Sequence, residues 1–112
     1  MELYVKTLLE IDTLSDKVRD ALSLPLRAEQ KRYGLNIGGG YYYSFDLAGL
    51  ELNLICNAGE VAIPERAAYS HYLYATSRLG EADQETVFCL TRQIASALRL
   101  HGLETELDSL AA

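Results

Sequence analysis

Basic residues, cysteine and long apolar runs are all scarce in this chain. Ten lysines and arginines stand against 16 aspartates and glutamates, so the 112 residues carry a formal net charge of −6. Nucleic acids and anionic membrane surfaces repel such a chain, and neither is expected as its main partner. No apolar run approaches the roughly 18 residues that a membrane-spanning helix needs. The uncharged segment of residues 34–45 contains three consecutive glycines and is typical of a hairpin.

The N-terminal residues and the two cysteines favour a cytoplasmic location. Residues 1–6 lack the positive leader, apolar segment and small-residue cleavage site of a signal peptide. Cys56 and Cys89 lie 33 positions apart and form no CxxC pair. We expect both to be small buried side chains in a reducing compartment rather than a disulfide.

Length and composition indicate one domain over residues 1–112. The chain is 49% hydrophobic and 23% charged, which is ordinary for a soluble globular protein. A chain of this length buries enough surface to form a core without a disulfide or a metal ion.

Alternation of apolar and polar residues predicts the strands, and helical spacing predicts two helices. The predicted strands cover residues 3–11, 32–37, 41–47, 50–56 and 69–76, and residues 103–107 are compatible with a further edge strand. The first helix follows Thr13 as its N-cap and ends at Pro25. The second runs from Gln84 to His101, with Asp83 and Gly102 as its caps. The order β-α-β-β-β-β-α predicts an α+β two-layer sandwich, with a mostly antiparallel sheet and both helices on one face.

No catalytic residue, metal site or cofactor is predicted. The glycines at 38–40 precede strand-like tyrosines instead of a helix, so they indicate a turn and not a phosphate loop. His71 and His101 have no second histidine at metal-ligand spacing. One enzymatic alternative remains: His71 acting with Asp46, Glu51 or Glu60, or with a cysteine that the fold brings beside it.

Tyrosine is the distinctive residue type, since seven of the eight tyrosines lie between positions 33 and 74. Alternation assigns Tyr41 and Tyr43 to the core face of the sheet. The opposite face then includes Tyr42, Asp46 and Glu51, with Tyr72 and Tyr74 sharing one face of a later strand. Such a face is either a solvated sheet surface that uses tyrosine for its β-propensity or a binding surface.

The middle of the chain has a recognisable order of segments at residues 41–54, 57–61 and 69–74: an aromatic strand, a short glycine turn, an apolar strand, an N-x-G-E segment and a tyrosine-rich strand. In this order it resembles the small immunity proteins of bacterial polymorphic-toxin systems. The resemblance implies a compact acidic α+β protein that binds and blocks a cognate toxin, without catalytic residues or a cofactor.

The sequence therefore predicts a non-catalytic protein that neutralises a basic protein partner, such as a nuclease toxin. Its expected contact residues are Tyr42, Asp46, Glu51, Tyr72 and Tyr74, and the protein is a monomer or a homodimer. The alternatives are a secretion-chaperone-like protein that holds a partly unfolded client, and the small enzyme that uses His71.

Overall fold

Within the part of the chain that the structure describes, six strands form one antiparallel sheet in the order β2-β3-β4-β5-β1-β6. The computed structural model describes residues 2–24, 28–32, 40–47, 49–59, 61–77 and 84–107. Its strands are β1 (Glu2–Lys6), β2 (Glu29–Arg32), β3 (Tyr41–Leu47), β4 (Leu50–Cys56), β5 (His71–Ser77) and β6 (Glu104–Leu107). The N-terminal strand thus lies between β5 and β6, and β2 and β6 are the two edges.

Two helices, α1 (Ile11–Ala21) and α2 (Gln84–Leu100), pack on the same face of the sheet. Leu14 and Val18 on α1 and Ile94 and Leu98 on α2 are buried at helical spacing. The sheet contributes the other half of the core through alternate residues of its strands, which are Leu3, Val5, Phe45, Leu50, Leu52, Leu54, Leu73 and Ala75. The predicted α+β sandwich and its element order are confirmed.

A two-residue connection joins β3 to β4, as the sequence predicts. Leu47 pairs with Leu50, and Gly49 takes a φ of 81°, which few residues other than glycine adopt in a tight turn. This register places Asp46 directly opposite Glu51.

The C-terminal end of α2 also follows the prediction. Gly102 has a φ of 83°, and the amide of Leu103 donates to the carbonyl of Leu98 at 3.0 Å. The side chain of Leu103 is buried against the helix end. The chain then enters β6, so the predicted edge strand is present.

The first strand and the first helix begin and end earlier than predicted. The strand leaves the sheet after Lys6, where the Thr7 amide donates to Ser70 Oγ and Thr7 Oγ1 accepts from the Leu9 amide. The helix N-cap is Glu10 and not Thr13, which lies within the helix. Ile11 fits the alternation of the predicted strand, but its spacing to Leu14 and Ser15 also fits the buried face of the helix.

Two other strands also differ from the prediction. The weak strand predicted over residues 32–37 shares only Arg32 with the observed β2, which covers Glu29–Arg32 and pairs with β3. The strand predicted from Tyr69 begins at His71. Pro25, residues 33–39 and Asp83 lie outside the described residues. Cys56 is half-buried on β4, but Cys89 is exposed, because it lies two positions from Val87 and Thr91 and so points away from their buried stripe.

Candidate partner-binding site

The sheet face opposite the helices is the candidate site, and we call it the open face. Its residues alternate with the buried apolar residues of β3, β4 and β5, so the pleat turns them away from the helices. Among the described residues it includes Tyr42, Ser44, Asp46, Glu51, Asn53, Tyr74 and Thr76. The structure thus assigns the predicted contact residues Tyr42, Asp46, Glu51 and Tyr74 to one face.

The open face carries two carboxylates on neighbouring strands, those of Asp46 and Glu51. Asp46 is exposed and lies directly across from the half-buried Glu51. Glu51 Oε1 accepts a hydrogen bond from Ser44 Oγ at 3.0 Å and lies 3.5 Å from Lys31 Nζ on β2. Like charges directly opposite one another on a sheet are unfavourable, and the Lys31 ammonium offsets part of this cost at Glu51.

The two tyrosines of β5 differ in their surroundings. Tyr74 is 39% exposed and lies on the open face beside Asn53. Tyr72 shares that face, but it is only 6% exposed and its hydroxyl donates to the Val61 carbonyl at 2.9 Å. Tyr72 is therefore covered and not exposed, because strand alternation identifies the face of a residue and not what covers it. Its role as a contact residue stays a prediction.

The cover over Tyr72 is the segment of residues 61–69, which we call the strap. It crosses the open face over β1 and β5, with the Tyr69 ring 5.8 Å from the Tyr4 ring between centroids. The Arg66 guanidinium lies 4.8 Å from the centroid of that same Tyr4 ring. Tyr4 is consequently 3% exposed, although it lies on the side of the sheet without helices.

Glu106 on the edge strand β6 binds two residues of the strap. Arg66 Nη1 donates to Glu106 Oε1 at 3.1 Å, and the Tyr69 hydroxyl donates to the other carboxylate oxygen. The hydrogen bond from Tyr69, aided by the charge of Arg66, lowers the pKa of Glu106 below its ordinary value against an opposing effect of burial. Sequence analysis missed this cluster, since Arg66 and Glu106 are 40 positions apart.

His71 lies on the other side of the sheet. It pairs with Cys56 on β4 and with Val5 on β1, and it is 4% exposed. Its Nδ1 is 2.9 Å from Ser70 Oγ. Burial lowers the pKa of His71 and raises the pKa of the Cys56 thiol, so both groups are held neutral. A nucleophilic pair needs the opposite shift at the thiol.

The enzymatic alternative is also opposed by the position of the carboxylates. Asp46 and Glu51 lie on the open face, across the sheet from His71, and Glu60 lies outside the described residues. Two depressions of about 470 and 260 Å³ lie along α2, and His71 lines neither of them. Within the described ranges no group of three or more histidine, cysteine, aspartate or glutamate side chains could hold a metal ion.

Asp12 joins β3 to the first turn of α1. Its Oδ1 accepts a hydrogen bond from the Tyr41 hydroxyl at 3.0 Å and a second from the Tyr43 hydroxyl. The bond to Asp12 is the main cause that raises the pKa of Tyr43 to about 12, with burial adding to it. Burial, followed by the bond to Asp12, raises the pKa of Tyr41 as well.

Asp12→Asn is expected to bring the titration of Tyr43 back toward the ordinary tyrosine range. The raised pKa means that this contact stabilises the fold at neutral pH and is lost as pH rises from about 10 to about 12. Alkaline titration followed by tyrosinate absorbance measures the shift, with Asp20→Asn, an exposed aspartate of the same helix, as the control. An unchanged titration in Asp12→Asn would contradict the assignment.

Comparison of the chain with protein-family models, with curated proteins and with solved structures finds no match. Neither of the two described helices has the length and apolar character needed to cross a membrane.

Proposed function

We propose that this protein binds a basic protein through the open face and thereby blocks it, as an immunity protein blocks a toxin. The observation that carries the proposal is the cross-strand pair Asp46 and Glu51, with Tyr42 and Tyr74 on the same face. Tyrosines supply contact area at low entropic cost, and carboxylates steer a basic partner toward them.

Other acidic residues around the pair also support a basic partner. Glu29 on β2 and Glu2 on β1 belong to the cross-strand row that runs through Ser44, Asn53 and Tyr74. Lys31 is the cation on β2 that contacts Glu51 from within this surface. With a net charge of −6 on the whole chain, a positively charged surface is the complement that electrostatics favours.

Reversing the charge of the pair is the test. The double variant Asp46→Lys/Glu51→Lys is expected to slow association with the partner by about tenfold or more at low salt and to flatten its salt dependence. Asp16→Lys/Asp20→Lys is the matched control, since both residues are exposed on α1 and the change in net charge is the same.

Affinity capture from a bacterial lysate with wild type and both variants identifies the partner, and surface plasmon resonance then gives the association rates. A basic protein held by wild type and by the α1 variant, but lost by the open-face variant, supports the proposal. Equal retention by all three removes the open face from the interface. Retention of many unrelated apolar clients by a homodimer would instead indicate the chaperone-like function.

A further inference from the structure

Arg66 occupies a site that the sheet itself provides. Tyr4 on β1 and Glu106 on β6 are direct cross-strand partners, so the register of the sheet fixes an aromatic face beside a carboxylate. The Arg66 guanidinium lies over that ring at 4.8 Å and bonds the carboxylate at 3.1 Å. A planar cation is the group that both elements bind well, since a guanidinium stacks on an aromatic ring and pairs with a carboxylate.

Arg66 and the two residues that bind its guanidinium belong to different parts of the chain. Tyr4 and Glu106 are held by strand pairing, whereas Arg66 is on the short 3₁₀ turn Pro64–Arg66 of the strap. That turn contributes no buried residue to the core. The side chains of Arg66 and Glu106 are 23% and 46% exposed, so water reaches this ion pair and screens part of its attraction. An incoming cation can therefore replace Arg66 without disturbing the strands.

We propose that Tyr4 and Glu106 form a recognition site for an arginine of a protein partner, and that Arg66 fills this site in cis until the partner displaces the strap. The identity of the partner as a basic protein rests on the proposed function. Displacement of the strap uncovers Tyr4 and Tyr72, which lie beside Tyr74. The surface uncovered in this way is continuous with the exposed part of the open face, so one partner can contact both.

A guanidinium probe tests the site without the partner. Arg66→Ala, checked for folding by circular dichroism, is titrated with N-ethylguanidinium chloride at low millimolar concentration and followed by amide chemical shifts. We expect saturable shifts at Tyr4, Tyr69 and Glu106, several-fold larger than those with ethylammonium chloride at matched ionic strength. Wild type should show no saturable shift, because Arg66 fills the site. Adding Glu106→Gln to the variant should abolish the binding.

Amide exchange of the strap gives a second, independent measurement. The amides of Arg66, Ala67 and Tyr69 are hydrogen-bonded within the strap, and their exchange should accelerate in Arg66→Ala and stay fast when the probe is added, because the probe is not attached to the strap. Arg66→Gln serves in the same way if the alanine variant does not fold.

Three outcomes would overturn the proposal. They are the absence of saturable shifts in a folded Arg66 variant, equal shifts in wild type, and binding that survives Glu106→Gln. The titration is separate from the charge reversal at Asp46 and Glu51. If the charge reversal does not affect partner binding, the result of the guanidinium titration is unaffected. If the probe does not bind, the result of the charge reversal is unaffected. If the probe binds but the captured protein associates equally with wild type and Arg66→Ala, the assignment of the natural arginine to that partner is wrong.

Discussion

Leu98→Ala is expected to lower the free energy of unfolding by about 2–5 kcal/mol, the range for a leucine removed from a well-packed core. Leu98 is fully buried on the face of α2 that packs against the sheet. The lost side chain leaves a cavity between two layers whose strands and helix cannot close over it. Because domains of this size are stable by only about 5–15 kcal/mol, the change should be visible as a large fall in the urea midpoint.

Leu100→Ala is the matched control in the same helix. Leu100 is 87% exposed, and its truncation should change the free energy of unfolding by no more than about 0.5 kcal/mol. Urea unfolding followed by circular dichroism compares the two variants directly. Equal losses would mean that the effect comes from the helix and not from the core, and a Leu98→Ala variant as stable as wild type would contradict the packing of α2.

The two-layer fold is predictable because its signals are local. The alternation in β3 and β4, with a glycine connection between them, determines both the hairpin and the face of every residue in it. For this reason the sequence alone pairs Asp46 with Glu51 and places Tyr42 on the same face. The helix end at Gly102 is predictable in the same way, since only nearby residues form it.

The strap is not predictable, because its position depends on contacts distant in sequence. Nothing near Arg66 indicates Glu106 as its partner, and nothing near Tyr72 indicates the carbonyl of Val61 above it. The start of α1 shows a different limit. Ile11 satisfies the strand period and the helix period equally, and the turn at Thr7, made with Ser70 of a distant segment, decides between them.

Asn57→Ala is expected to lower the free energy of unfolding by about 2–4 kcal/mol and to loosen the strap. Its Nδ2 donates to the carbonyls of Arg66 and Tyr69 at 2.9 and 2.8 Å. Its Oδ1 accepts from the Ile63 amide at 2.8 Å. Three hydrogen bonds to backbone groups, each contributing about 0.5–1.5 kcal/mol, account for the expected loss. One side chain thus holds both ends of the strap, while Arg66 and Tyr69 attach it to Glu106.

Asn53→Ala is the control, since it removes the same side chain from β4, the strand that ends one residue before Asn57. Asn53 Oδ1 is buried without a hydrogen-bond partner, so its removal should have a small effect on the free energy of unfolding. Asn57→Asp should destabilise at least as much as Asn57→Ala, because it keeps the acceptor for Ile63 but places a carboxylate against two carbonyls. Urea unfolding gives the stability, and hydrogen exchange at residues 61–69 gives the local effect. If the amides of the strap exchange no faster in Asn57→Ala than in Asn53→Ala, Asn57 does not hold the strap. Arg66 and Tyr69 are then sufficient to keep Tyr4 and Tyr72 covered.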